Sequence, residues 1–389
     1  MHKRHLIALA AAAVTSVTAF GNALAQSDTV KIGVILPMTG QQASTGRQID
    51  AAIKLWVAQN GNKVAGKKVE VIVKDDGSLP DATRRLAQEL VVNDKVVALA
   101  GFGITPSAMV TAPIATQSKT PMVVMAAATS AITEASPYVV RTSFTLPQAS
   151  VALAEWANKN NVKKVVSLVA DYGPGYDAEK FFTDRITLNS GQVMEKLRTP
   201  MRAPDFAPVL QKVRDAKPDA LFVFLPSGQG AAFMKQFGER GLDKAGIRLI
   251  ATGDVTDDDQ LNDMGEVAMG VVSSHHYSAA HPTPANKKFV DAFVAAHKFR
   301  PNFMAVGGYD GMRVIYKALE ASKGAGGDAL LAGMKGQIFE SPRGQVLIDA
   351  QTRDIVQDIY IRKVEKKDGQ LWNIEFDSVK AVKDPGKLK

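Results

Sequence analysis

From Thr29 onward, short runs that are almost wholly apolar alternate with longer segments whose apolar residues recur every three or four positions. The first kind reads as strands covered on both faces, the second as amphipathic helices. Val30–Leu36, Val69–Lys74, Val96–Ala100 and Met122–Met125 are predicted strands, interleaved with helices over Gly46–Asn60, Asp81–Val92 and Ser107–Gln117. The rhythm continues with helices at Ala149–Asn160, Asp177–Leu188, Asp205–Ala216 and Gly230–Arg240, around strands at Lys164–Val169, Ala220–Leu225, Leu249–Ala251 and Gly270–Ser273. Two long helices follow, near Ala285–His297 and Met304–Lys323. Gln345–Asp349, Asp358–Val364 and Leu371–Phe376 are again β-type, with Lys366–Gly369 as a turn; they read as late strands added to a finished unit, and the tail after Val379 is expected to fray. The fold class is α/β, with parallel, doubly wound sheets; one sheet would be unusually long, so two lobes of similar design are expected.

The first residues do not fit that rhythm. Lys3 and Arg4 precede a short apolar run, and Ala23-Leu24-Ala25 has the small–x–small form of a signal-peptidase site. Residues 1–25 are read as a cleaved secretory signal with cleavage after Ala25, which places the mature protein in the periplasm. The chain has no cysteine, which excludes disulfides, thiol catalysis, thiolate metal sites and a lipid-anchoring cysteine. Its formal charge of +8 comes from dispersed lysines and arginines, with no basic run interleaved with aromatics, so no nucleic-acid partner is expected.

Open α/β sheets bind ligands beyond the carboxyl ends of their strands, so the loops leaving those ends carry the candidate chemistry. After Val96–Ala100 comes Gly101-Phe102-Gly103-Ile104-Thr105-Pro106-Ser107. Thr105 suits an N-cap and Pro106 a first helical turn; free N–H groups and two hydroxyls there suit a carboxylate. Pro106 occupies the third glycine position of a dinucleotide fingerprint, which argues against that cofactor. Ala127, Ala128 and Thr129 follow the next strand, and small residues there open backbone amides to a cleft. Tyr172, flanked by glycines, offers a flat face and a hydroxyl. Asp254 follows a strand end and suits an ammonium, whereas Asp257, Asp258 and Asp259 follow Thr256, which suits an N-cap, and read as partners of a helix dipole. His275, His276 and His281 match no zinc spacing, and no nucleophile elbow, H-E-x-x-H or P-loop is present, so neither metal nor cofactor nor catalysis is expected.

In order, VKIGVILPMTG, VKDDGSLPDAT, GITPSA, AAATS, PYVVRT, DYGPGYD and GYDGMRVIYKAL resemble the periplasmic substrate-binding proteins of branched-chain amino acid ABC transporters, the type I bilobed group. The resemblance spans the mature chain. It implies lobes built from 26–144 with 277–342 and from 145–276 with 343–379, a tail at 380–389, and crossovers near Thr142–Pro147, Ser273–Tyr277 and Ser341–Gln345. It implies a monomer that closes over its ligand and delivers it to a membrane permease. The carboxylate pocket would fall on Thr105, Pro106 and Ser107 with Ala127, Ala128 and Thr129; Tyr172 would close over the ligand and Asp254 would take an α-ammonium. Thr45 and Ser227 lie in cleft loops, where Ser44 and Thr45 replace the aromatic common in leucine binders. The implied ligand is an amino acid, branched-chain or similar; the alternatives are an aromatic or 2-oxo acid, an amide, or a sensory role on the same fold.

Overall fold

The structure is a computed structural model that describes residues 29–202 and 204–388; the signal segment and its cleavage site lie outside the described residues. Two sheets organise the chain. The first contains β1 (Thr29–Leu36), β2 (Lys63–Val64), β3 (Lys67–Asp75), β4 (Ala98–Gly101), β5 (Met122–Val124) and β6 (Val139–Arg141), in the order β2-β3-β1-β4-β5-β6. All its pairings are parallel except β2 with β3. The second contains β7 (Lys164–Ala170), β8 (Gln192–Thr199), β9 (Ala220–Phe224), β10 (Arg248–Thr252), β11 (Val272–His275), β12 (Ile338–Ser341), β13 (Gly344–Ile348), β14 (Ile355–Lys367) and β15 (Gln370–Val382). Its order is β12-β13-β14-β11-β10-β9-β7-β8, with β15 on β14. Helices cover both sheets, and β1, β4, β5, β7 and β9 are buried almost throughout, as their apolar runs require.

The late strands join the second sheet as antiparallel additions, β14 against β11 and β15 against β14. Their two-residue turn holds Asp368 and Gly369 at φ 52° and 76°, the left-handed pair that matches hairpin twist. β8 was absent from the expected strands: it is an edge strand with alternating exposure, and its charged outward positions mask the apolar signal. β6, β12 and the helix Gly327–Met334 were likewise not expected.

The chain passes between the sheets three times: after β6, after β11, and between the helix Gly327–Met334 and β12. The first passage enters the helix Leu146–Lys159 through a capping box of Thr145 and Gln148. Arg343, fully buried in the turn between β12 and β13, ties that turn to the first passage. It pairs with Asp310 at 2.6 Å and donates to the carbonyls of Thr142 (2.7 Å) and Ser143 (2.9 Å) and to Gln357 (2.8 Å). Arg141 is equally buried and meets Asp354 at 2.6 Å.

The tail departs from the expectation of fraying. β15 runs to Val382, and Pro385–Lys387 form a single 3-10 turn. Asp384 is buried and accepts from Ser130 at 2.5 Å and Thr145 at 3.1 Å, while Lys387 reaches Asp354 and Thr133. Polar residues at a chain end look solvated in a sequence, but here they meet buried partners. Removing residues 383–389 is therefore expected to cost on the order of 1–3 kcal/mol by stranding those partners, read as a lower midpoint in urea unfolding; an unchanged midpoint would mean the tail contributes nothing.

Candidate functional site

In the first sheet β1 leads to β3 on one side and β4 on the other; in the second, β7 leads to β8 on one side and β9 on the other. At each such reversal, loops diverge and leave a crevice beyond the strand ends. The two crevices face one another across a narrow cavity. From the first lobe it is lined by Gln42, Gly103 to Thr105 and Ala126 to Ala128; from the second by Tyr172, Phe224, Ser227 and Asp254. Phe144 and Leu146 of the first passage and Met304 complete the walls.

The loop after β4 is shaped by Gly101 at φ 107°, where a Cβ would stand 2.3 Å from the carbonyl oxygen of Ile35. Phe102 follows at φ 68°, an uncommon conformation for a bulky residue, with its ring fully buried. This turn delivers the helix Thr105–Ser118 to the cavity rim. Thr105 is the first helical residue rather than the cap, which is Ile104; its hydroxyl bonds instead to that of Thr129 at 2.8 Å. Ala127 and Ala128 line the cavity, whereas Thr129 stands behind Thr105.

Three candidates lie elsewhere. The Ser107 hydroxyl is fully buried between Asp76 (3.0 Å) and Thr83 (2.7 Å), so it braces the first lobe. Pro106 occupies the first helical turn outside the cavity lining. Thr45 is buried near Gly103, again outside the lining. Phe144, Phe224 and Met304 were not singled out. The strand-end rule could have found Phe224, the last residue of β9; nothing local marks Met304, which arrives from a distant helix.

On the second lobe, the ring of Tyr172 stacks over Phe224 with centroids 6.1 Å apart. Burial, helped by the charge of Asp254, raises its phenol well above the usual value. Asp254 is buried and accepts from Thr252 at 3.0 Å, with His275 Nε2 at 3.8 Å. Burial pushes its carboxyl up to about 7, opposed by the Thr252 bond and by Arg362 and reinforced by Asp257. Arg362 spends its own bonds on Ser273 and the Tyr277 carbonyl. Among the described residues, no lysine or arginine lines the cavity. His275 and His276 are both buried, with rings 4.4 Å apart, and burial holds them neutral.

The aspartates after Thr256 do not serve a helix dipole. The next helix begins at Leu261, and the Thr256 hydroxyl bonds to Ser273. Asp257 accepts from Ser227 and Asn302, Asp258 from Asn373, and Asp259 from Ser44 and Arg47.

Two α/β lobes on either side of a cleft, joined by three passages, define a bilobed solute receptor. The chain belongs to the periplasmic binding protein family, whose model matches residues 29–370, and within it to the type I group of the branched-chain amino acid transporters. It is 45% identical over 386 residues, 98% of each chain, to Leu/Ile/Val-binding protein homolog 6 of Brucella abortus. A solute-binding protein of an ABC transporter from Rhodopseudomonas palustris BisB5, solved with 3,4-dihydroxybenzoic acid, shares 60% identity at a TM-score of 0.92, covering 93% of this chain and 100% of that one. A counterpart from Rhodopseudomonas palustris HaA2, solved with p-hydroxybenzoic acid, shares 43% identity at a TM-score of 0.90, covering 92% and 99%.

Two outcomes test this geometry. Ser107→Ala removes one of the three hydrogen bonds to the buried Asp76, which keeps those from Thr83 and Ser78; it should lower stability by about 1 kcal/mol in denaturant unfolding and leave ligand affinity unchanged. Asp254 carries a folded pKa of about 7, above the unfolded value of ~3.9. Its favourable share is present below the unfolded pKa and lost as pH rises through the folded one. Neutral His275 and His276 act in the opposite sense, so the comparison is between variants. The melting temperature of Asp254→Asn should gain on that of the parent as pH rises from about 5 to about 8; parallel curves would contradict the shift.

Proposed function

We infer that this protein is the periplasmic receptor of an ABC importer and that its ligand is an aromatic carboxylic acid of the hydroxybenzoate kind. The observation that carries the reading is the cavity lining: the rings of Phe144, Tyr172 and Phe224, apolar Leu146 and Met304, and no basic side chain. Flat apolar walls suit a planar ring. The carboxylate would lie against the Thr105 hydroxyl and the amino end of its helix, where N–H groups and the helix dipole favour an anion without a cation. Asp254, the one carboxyl in the lining, repels a carboxylate and would instead accept a ring hydroxyl. The two Rhodopseudomonas relatives, solved with hydroxylated benzoic acids, support this reading.

The amino-acid reading has its own support in the Brucella relative's name and in Asp254, which suits an ammonium. A thermal-shift and calorimetric panel separates the two, because a ligand of the native state raises its melting temperature. Hydroxybenzoates should shift the protein and leucine, isoleucine and valine should not; the reverse pattern overturns the proposal. Asp254→Asn should reduce the preference for 4-hydroxybenzoate over benzoate by about tenfold, the worth of one hydrogen bond to a charged group.

A further inference from the structure

Beyond the cavity, the lobes meet along a seam built from the loop after β10. Asp259, on the second lobe, accepts from Arg47 at 2.6 Å and from Ser44, both on the helix Ala43–Asn60 of the first. Asp257 accepts from the side-chain amide of Asn302 at 2.9 and 3.0 Å. Asn302 caps the helix Phe303–Ala321, its oxygen taking the N–H groups of Met304 and Ala305. That helix packs against Ala43–Asn60, so Asn302 belongs to the first lobe. A third contact is backbone: Gly228, at φ 96°, lies where a Cβ would come 2.9 Å from the carbonyl oxygen of Gln41.

Each contact is one step from the cavity wall. Asp257 also holds the Ser227 hydroxyl, and Ser227 lines the cavity. Asn302 orients Met304, which lines it from the other lobe. Gln42, another lining residue, stands two positions before Ser44. The Asp259 side chain is 6% exposed while its Arg47 partner is 54% exposed, so one end of the pair is withdrawn from water and the other is not. If the lobes part, these bonds break.

We propose that Asp257 and Asp259, with Ser44, Arg47 and Asn302 across the seam, form a latch that sets how long the closed receptor holds its ligand. They are positioning residues: they act through Ser227 and Met304. Because protein atoms alone make the latch, it stabilises the closed form whether or not the cavity is filled, and it acts on release more than on capture. A ligand that fills the cavity without displacing Ser227 or Met304 keeps the latch made; a bulkier one breaks it.

The test uses Arg47→Ala and Asp259→Asn, singly and together, with 4-hydroxybenzoate as probe in stopped-flow fluorescence. Each single variant should speed release about tenfold, the low end for a charged bond with one exposed partner, while the capture rate changes little. The double variant should be no worse than either single one, since both remove the same bond. Gly228→Ala, which wedges the seam apart, should also speed release, and Arg47→Lys should restore part of the loss. A purely structural role would lower the melting temperature of the ligand-free protein and leave the release rate alone; that result overturns the proposal. The absence of native cysteine permits a second readout independent of ligand identity. Labels on Val92→Cys and Leu188→Cys, exposed sites on opposite lobes, report the lobe separation. Ligand-free protein should show a closed population that the double variant loses; a ligand-free distribution identical in the two overturns the latch. If 4-hydroxybenzoate fails to bind while the label distances behave as stated, the ligand class is wrong and the latch stands.

Discussion

A guanidinium withdrawn from water must have every N–H satisfied, and at the joint of this molecule that requirement dictates how three strands of chain meet. Arg343 answers it with Asp310 on a helix of the first lobe, Gln357 on β14 of the second, and two carbonyls of the passage between β6 and the next helix. Such a pair adds little net stability over an apolar replacement, but losing one partner is costly, of order 3–5 kcal/mol. The arrangement therefore specifies geometry. Arg141 and Arg362, also fully buried, do the same at neighbouring passages. Together they fix where the lobes are joined.

The cleft obeys the opposite electrostatic rule. It keeps cations out of its lining and gathers acid groups on the second lobe: Asp254 in the wall and Asp257 to Asp259 behind it. Burial pushes both Asp254 and Asp257 up to about 7, so near neutrality they stand between their charged and neutral forms. For the proposed anionic ligand, that charge would favour the first lobe, where the Thr105 hydroxyl and a helix start face the cavity. The asymmetry between the lobes follows from which strand ends carry acids.

Most of this architecture was legible because it rests on local periodicity. Covered strands must be apolar, and Val30–Leu36 or Ala220–Leu225 admits few other readings. Thr105, Ala127, Tyr172, Ser227 and Asp254 were reachable because strand ends are recognisable. What escaped was long-range. Asp259 meets Arg47 across 212 positions, and no local signal distinguishes that from a dipole partner of a nearby helix. Ser107 looked like a ligand hydroxyl until Asp76, 31 positions earlier, was seen to take it. Phe144 and Met304 enter the wall by tertiary placement alone. The misread tail belongs with these, since Ser130, which meets Asp384, and Thr133, which meets Lys387, each lie 254 positions upstream.

Several walls of the cleft hang from the ends of different strands, Thr105 beyond β4, Ala127 beyond β5, Tyr172 beyond β7, Phe224 on β9 and Asp254 beyond β10, so these wall residues are nearly independent in heredity. An exchange at Phe224 or Asp254 alters one surface of the chamber without disturbing the ladder of hydrogen bonds beneath it, or the buried arginines at the joint. Relatives at 45% and 60% identity, named for aliphatic amino acids in one case and solved with a dihydroxybenzoic acid in the other, are what such a scaffold leaves behind.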